Sequence, residues 1–255
     1  MNKMLKRAIF LDFDGVLFDS LREAYCVALI ALGKASCISD VNLDSSHFQE
    51  FNKFRYLIGP AWNYLCFMPL IDEKVSNPCM NFIKNFQGVA KDCDPDKKLV
   101  FEKEFFKTRD FLRETETKGW LSLITPYPFA ENLRDLMRGQ SENYFLITTR
   151  DRKSVHHVLR VHSMNFLNEN VFGSDDLSGH NSKRDIIQSL IQKYHIEKSI
   201  FIDDFEGHLT ACSTVNNLFL AQARWGYVSE ENKLDNSSNI FNDIQNLIQE
   251  ENVRA

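Results

Sequence analysis

Ala8-Ile9-Phe10-Leu11-Asp12-Phe13-Asp14-Gly15-Val16 decides how the chain is read. A short apolar run that ends abruptly in two aspartates and a glycine has the pattern of a buried strand of a parallel sheet, which is hydrophobic throughout rather than alternating. The strand is expected over Ala8–Phe13. Side chains alternate along a strand, so Asp12 and Asp14 fall on the same side, roughly 6 to 7 Å apart along the backbone. Gly15 then lets the chain turn. A lone aspartate after a strand is ordinarily a turn residue. Two at this spacing offer oxygen ligands to a divalent cation such as Mg²⁺, which takes a few carboxylates and keeps its other positions for water or phosphate.

The rest of the composition bounds the possibilities. The 255 residues are 44% apolar and 25% charged, with a formal net charge of -5. That is enough apolar content for a sizeable core, and there is no basic footprint of a nucleic-acid binder. Neither DNA nor RNA is an expected partner. The basic N-terminus is followed by an apolar stretch that Asp12 and Asp14 interrupt before it reaches the length of a signal peptide or membrane span, so a cytoplasmic protein with no membrane partner is expected. Six cysteines (Cys26, Cys37, Cys66, Cys79, Cys93, Cys212) contain no C-x-x-C pair. Reduced, buried thiols are expected rather than a zinc site or a disulfide framework.

Downstream of the first strand the signal is helical to about Lys118. A helix opens at Ser20, with Ser20 and Glu23 spaced as a capping box, and ends near Gly33. Others are expected over His47–Ile58, over Asp72–Gln87, and over Leu99–Thr117 behind Asp94-Pro95. After Trp120 strands and helices alternate. Strands are expected at Tyr144–Thr148, Val171-Phe172, Ser199–Asp203 and Leu218–Ala221, with helices over Glu131–Arg138, Lys153–Met164, Lys183–His195, Leu209–Val215 and Ile240–Glu250. The fold class is therefore α/β: a three-layer, Rossmann-like parallel-sheet core from residues 1–18 and 123–255, with an inserted all-helical cap domain over residues 19–122.

Ligands of such sheets bind beyond the carboxyl ends of the strands. There the sequence places Asp12 and Asp14, then Thr148-Thr149-Arg150, and then Asp203-Asp204. Lys183 opens a helix whose N-terminus adds to the preference for an anion. Gly15 and Val16 are expected to turn backbone N–H groups toward phosphate oxygens.

These residues resemble the motifs of the haloacid dehalogenase superfamily of phosphatases, and the resemblance covers nearly the whole chain. The family's strand followed by D-x-D-G-T/V is similar to Phe10–Val16. Its second motif, a hydroxyl residue ending a strand, fits Thr148; its lysine fits Lys183; its acidic strand end fits Asp203-Asp204. The insert resembles the helical cap of the subclass that includes phosphoglycolate phosphatases. Within it, Arg55-Tyr56-Leu57-Ile58-Gly59-Pro60 is similar to the cap's substrate-specificity loop. Arg224-Trp225-Gly226-Tyr227 resembles the segment after the last core strands. Two positions depart from the family pattern: His208 stands where an aspartate often follows the metal ligand by four residues, and the lysine lies in Asn181-Ser182-Lys183-Arg184-Asp185 rather than in a proline-containing context.

The resemblance implies a Mg²⁺-dependent phosphatase acting on a small phosphorylated metabolite as a monomer or homodimer. Asp12 would be the nucleophile that forms an aspartyl-phosphate, and Asp14 the general acid and base. Asp12, Asp204 and the Asp14 carbonyl would hold Mg²⁺. Thr148 and Lys183 would hold the transferring phosphoryl group. Gly15, Val16, Thr149, Arg55 and Gly59 would contact substrate, and Asp203 would support Asp204. A phosphomutase of the same superfamily and a catalytically inactive binding or regulatory homologue are the alternatives. Phosphoglycolate, a sugar phosphate and a nucleoside monophosphate all remain open as substrates. His156, His157 and His162 share a helix without metal-ligand partners and are read as solvated or packing residues. Phe101, Phe105 and Phe106 are read as the core of the insert.

Overall fold

The computed structural model describes residues 5–177 and 182–249. Asn181 of the lysine segment and Glu250 at the expected end of the last helix lie outside the described residues. The chain forms two compact units, one of residues 1–19 and 126–255, the other of residues 20–125. Among the described residues no helix is long and apolar enough to cross a membrane.

The first unit is built on strand β1 (Arg7–Leu11), whose last four residues are buried as the apolar run requires. The chain leaves through the two-residue strand β2 (Phe18–Asp19). It returns after the second unit, whose helices are α1 (Leu21–Ala31), α2 (Ser46–Phe54), α3 (Asn63–Ser76), α4 (Phe82–Asp92), α5 (Pro95–Thr115) and α6 (Thr117–Ser122). The two-residue strand β3 (Thr125–Pro126) leads into α7 (Pro128–Leu136), β4 (Tyr144–Ile147), α8 (Arg152–Val161), β5 (Val171–Phe172), α9 (Ser174–Leu177), α10 (Lys183–Tyr194), β6 (Lys198–Asp203), α11 (Glu206–Cys212), β7 (Leu218–Gln222) and α12 (Ser237–Gln249).

Five of the strands form one parallel sheet in the order β5-β4-β1-β6-β7, so β1 lies in the middle with β4 and β6 beside it. Alternation along β1 sends Ala8 and Phe10 to one face, where they meet Phe145, Ile147 and Phe201 under Ile187 and Leu190 of α10 and Cys212 of α11. On the other face, α12 packs against β1 and β6 and buries Ile240, Ile244 and Ile248. The result is the three-layer α/β architecture in which a hydrophobic sheet is covered on both sides by helices. Burial of each such Ile, Leu or Phe side chain contributes roughly 1.5 to 3 kcal/mol. The polar residues at the strand ends are held on that frame.

The second unit has an aromatic interior. Phe51, Phe67 and Phe82 meet edge to face, and Tyr64 stacks on Phe105 with ring centroids 5.1 Å apart. Phe101 and Phe105 are buried and Phe106 is half-buried.

Three local expectations fail, each for a physical reason. Ser20 is the N-cap of α1 but its side chain makes no cap bond. Its would-be partner Glu23 is fully buried and committed to Arg109 and to the Trp120 indole N–H. The helix expected over Asp72–Gln87 is two helices, because Asn77-Pro78 ends α3 and Asn81 caps α4 by accepting from the Lys84 N–H. All six thiols are free, but Cys79 is exposed and Cys37 and Cys93 are half-buried, since these three lie in connections rather than on packed helix faces.

Candidate active site

Asp12 directly follows β1, with its N–H donating to Ile202 O of β6 at 3.0 Å. The residue is 5% exposed. One carboxylate oxygen accepts from the Phe13 N–H at 2.7 Å and the other lies 2.8 Å from Lys183 Nζ. Asp12 has the same strand parity as Phe10, so it points to the face covered by α10, and Lys183 is the first residue of that helix. A capping box fixes the lysine's position: the Ser182 hydroxyl accepts from the Asp185 N–H, and the Asp185 carboxylate accepts from the Ser182 N–H. The S-x-x-D spacing that signals this box was present in the sequence.

Lys183 Nζ is shared, at 2.8 Å, with Asp203 Oδ2. Asp203 also accepts from the Phe205 N–H at 2.9 Å and lies 3.0 Å from His208 Nδ1. Asp203 was expected to support Asp204; its carboxylate instead turns toward Lys183, because Asp203 continues the parity of Phe201 on the α10 face. Burial pushes the Asp12 carboxyl up to about 6, an effect that Lys183 opposes and Asp203 reinforces. Burial likewise works against an ionised Asp203, but the Lys183 ammonium and the His208 ring hold it down to about 2. For Lys183 the attraction of the two carboxylates outweighs burial and keeps it above the ordinary lysine range. Asp12, Asp203 and His208 bring ligand-type atoms within 4.8 Å of one another. The Lys183 ammonium already bonds both of those carboxylates, so this trio has its cation and is a poor metal centre.

Asp204 sits differently. Its Oδ2 accepts from the Tyr227 N–H at 2.8 Å, and Gln222 Nε2 donates to its carbonyl at 3.1 Å. The carboxylate lies against the backbone of Gly15, where an added Cβ would meet Asp204 Oδ2 at 2.1 Å, and Gly15 has φ +80°. Gly226 presses on the same backbone from another side, since a Cβ there would lie 2.1 Å from Gly15 O. Only glycine allows such approaches. The Arg224–Tyr227 segment thus acts as a brace: Trp225 Nε1 donates to Val16 O at 3.1 Å and Tyr227 Oη to Asp19 Oδ1 at 3.0 Å.

The loop from Phe13 to Phe18 is a tight turn in which Leu17 and Phe18 both donate to Phe13 O. The Gly15 N–H donates to Phe18 O at 2.9 Å. It is therefore engaged within the loop, and Gly15 also lies close beside Asp204. Val16 is buried. Thr148 is fully buried just beyond β4, and its Oγ1 accepts from the Arg150 N–H at 3.2 Å; Thr149 beside it is half-buried. Asp14 Oδ1 lies 2.8 Å from Arg150 Nη1, a partner that the sequence placed at a strand end without assigning it a role. Arg55 and Gly59 belong to the helical unit, where Arg55 donates to Ile58 O at 3.0 Å and the Gly59 N–H to Asn63 Oδ1 at 3.0 Å. Among the helix histidines, His162 packs its ring 5.1 Å from that of Phe18.

A parallel sheet with acidic, hydroxyl and basic residues at the ends of its three central strands defines an α/β protein with charged groups gathered at the carboxyl end of the sheet. Its fold is that of the haloacid dehalogenase-like hydrolases. A predicted phosphatase from Clostridium acetobutylicum superposes with a TM-score of 0.59, covering 95% of this chain and 99% of that one at 17% identity. A predicted phosphoglycolate phosphatase from Haemophilus somnus gives 0.54 over 93% and 97% at 16% identity. A haloacid dehalogenase-like hydrolase from Streptococcus pneumoniae gives 0.53 over 93% and 97%, also at 16%. No protein-family model and no curated protein matches the sequence.

Proposed function

We propose that the protein is a Mg²⁺-dependent phosphatase that hydrolyses a small phosphorylated metabolite through an aspartyl-phosphate on Asp12. The observation that carries this reading is the buried Asp12 carboxylate at the tip of the central strand, 2.8 Å from Lys183 Nζ and beside the strand that ends in Asp203-Asp204. The solved structures of the same fold that are described as phosphatases support the choice of reaction.

The donor set fits a divalent cation. Four carboxylates (Asp12, Asp14, Asp203, Asp204) crowd these strand ends against the basic groups Lys183 and Arg150, and burial, with Asp203 adding to it, raises the Asp12 carboxyl to about 6 even against the pull of Lys183 and His208. A hard cation with oxygen ligands offsets that excess. Asp12, Asp204 and the Asp14 carbonyl would hold Mg²⁺, which when bound supplies charge neutralisation between the carboxylate and the phosphate dianion.

In the first half-reaction an Asp12 carboxylate oxygen attacks phosphorus, the P–O bond to the alcohol breaks, and the leaving oxygen takes a proton from the Asp14 carboxyl. In the second, water attacks the same phosphorus, Asp14 takes back a proton, and inorganic phosphate leaves with the Asp12 carboxylate restored. Lys183, held in place by Asp203 and the α10 capping box, faces the charge that develops on the phosphoryl oxygens. The Thr148 hydroxyl accepts from Arg150 and still has its own proton to donate to a phosphoryl oxygen. Val16 N–H and Thr149 are further contacts for the phosphoryl group.

The test is phosphate release from 4-nitrophenyl phosphate with and without Mg²⁺. Activity that depends on the metal and disappears in a folded Asp12→Asn variant is expected. Retention of the wild-type rate in that variant would remove Asp12 as nucleophile.

A further inference from the structure

Asp14 borders solvent, with 19% of its side chain exposed, while the Arg150 side chain that binds it is 0% exposed. The arginine is therefore the fixed member of the pair. Its backbone N–H donates to Thr148 Oγ1, its carbonyl accepts from the Ser174 N–H at 2.9 Å, and its guanidinium carbon lies 5.4 Å from the centre of the Phe13 ring. Phe13 is the residue between the two aspartates of the loop, and its ring stacks on Phe18 at 4.7 Å. One buried guanidinium thus touches both the residue that separates Asp12 from Asp14 and the Asp14 carboxylate itself. A buried guanidinium is costly unless it is paired, and its planar set of donors fixes a carboxylate in direction as well as distance.

We propose that Arg150 is a positioning residue for Asp14: it anchors Oδ1 to the end of β4, so that the sheet rather than the short loop sets where the proton is delivered. This rests on the reading of Asp14 as general acid and base given above. Proton delivery needs hydrogen-bond reach to the leaving oxygen, and small displacements at that distance are expensive in rate.

Two substrates of similar shape isolate the effect. Phenyl phosphate releases a basic phenolate that needs the proton, whereas 4-nitrophenolate departs largely without it. The ratio kcat/KM reports steps up to phosphoryl transfer, so the comparison is free of the later hydrolysis of the aspartyl-phosphate. Arg150→Met, which keeps length and removes the donors, is expected to lose about 10²-fold in kcat/KM on phenyl phosphate and no more than about 5-fold on 4-nitrophenyl phosphate. Arg150→Lys, which keeps a charge on a single nitrogen, is expected to recover part of the phenyl phosphate loss. Should Arg150→Met fail to fold in thermal unfolding, Arg150→Lys carries the test by losing more on phenyl than on 4-nitrophenyl phosphate. Equal losses on the two substrates in the folded variants overturn the positioning role and leave the Asp12 reaction standing. A wild-type protein that releases phosphate from neither substrate overturns the Asp12 reading, and this inference with it.

Discussion

Asparagine at position 12 removes the nucleophile, and it is also expected to stabilise the metal-free protein. Asp12 is 5% exposed, and its folded-state value of about 6 stands above the ordinary 3.8, with burial the largest cause. An acid whose pKa is raised by folding binds its proton more tightly in the folded state, so ionising it weakens the fold. The penalty is absent below about pH 4, grows through the interval and is complete above about pH 6. The interval from 3.8 to about 6 corresponds to at most about 3 kcal/mol. Asparagine keeps the shape, and its one carbonyl can accept from either Lys183 or the Phe13 N–H but not both, a loss that offsets part of the gain, while the second Lys183 bond to Asp203 is untouched. In EDTA at pH 8, Asp12→Asn is therefore expected to match or exceed wild type by up to about 3 kcal/mol. For a chain of this length that is roughly 6 to 10 °C in Tm. The gap should close at pH 4, and added Mg²⁺ should raise the wild-type Tm at pH 8 but not that of the variant. Thermal unfolding followed by circular dichroism at the two pH values reads all of this. A variant less stable than wild type by more than about 1 kcal/mol at pH 8 would show that the Asp12–Lys183 attraction outweighs burial, and would refute the charge accounting.

Gly15→Ala places a Cβ 2.1 Å from Asp204 Oδ2 at φ +80°, so it is expected to displace the carboxylate, cost about 1 to 3 kcal/mol of stability and raise the Mg²⁺ concentration needed for half-maximal activity; an unchanged metal requirement in a metal titration would speak against Asp204 as a ligand. In the helical unit, Glu23→Ala strands Arg109, which is held by bonds of 2.7 and 3.2 Å to the Glu23 carboxylate, and is expected to cost about 3 to 5 kcal/mol in urea unfolding. Glu23→Gln keeps an acceptor for the Trp120 indole and should cost less.

The reach of the sequence differs from element to element. The strands were legible because an apolar run bounded by polar residues has few other uses, and β1 differs from its expected span in starting at Arg7 and ending at Leu11, although the Asp12 N–H still donates to Ile202 O of β6. Helix ends were legible where the cap was local, as at Asp94, whose side chain accepts from the Asp96 and Lys97 N–H groups. At Ser20 the boundary was legible but the capping bond was not, because Glu23 answers to Arg109 and Trp120, far away in the sequence. Arg150 was visible as a guanidinium at a strand end, but its pairing with Asp14 depends on β4 lying next to β1. That adjacency belongs to the folded sheet and leaves no trace in spacing.

Asp203 and Asp204 show where the line falls. Side by side in the sequence the two look interchangeable, yet strand parity separates them. Phe10 and Asp12 on β1, and Phe201 and Asp203 on β6, alternate onto the face that α10 covers, so a lysine opening α10 meets both carboxylates at once. Asp204 is one residue further and turns to the Gly15 backbone instead. Once Asp203 supplies the carboxylate that holds Lys183, an aspartate at position 208 would bring a third negative charge to within about 3 Å of it, where like charges are strongly unfavourable in a buried setting. A histidine there adds a hydrogen bond to Asp203 without that repulsion. His208 and Asp203 are thus one arrangement, in which the support for the lysine comes from the strand and the residue on α11 steadies it.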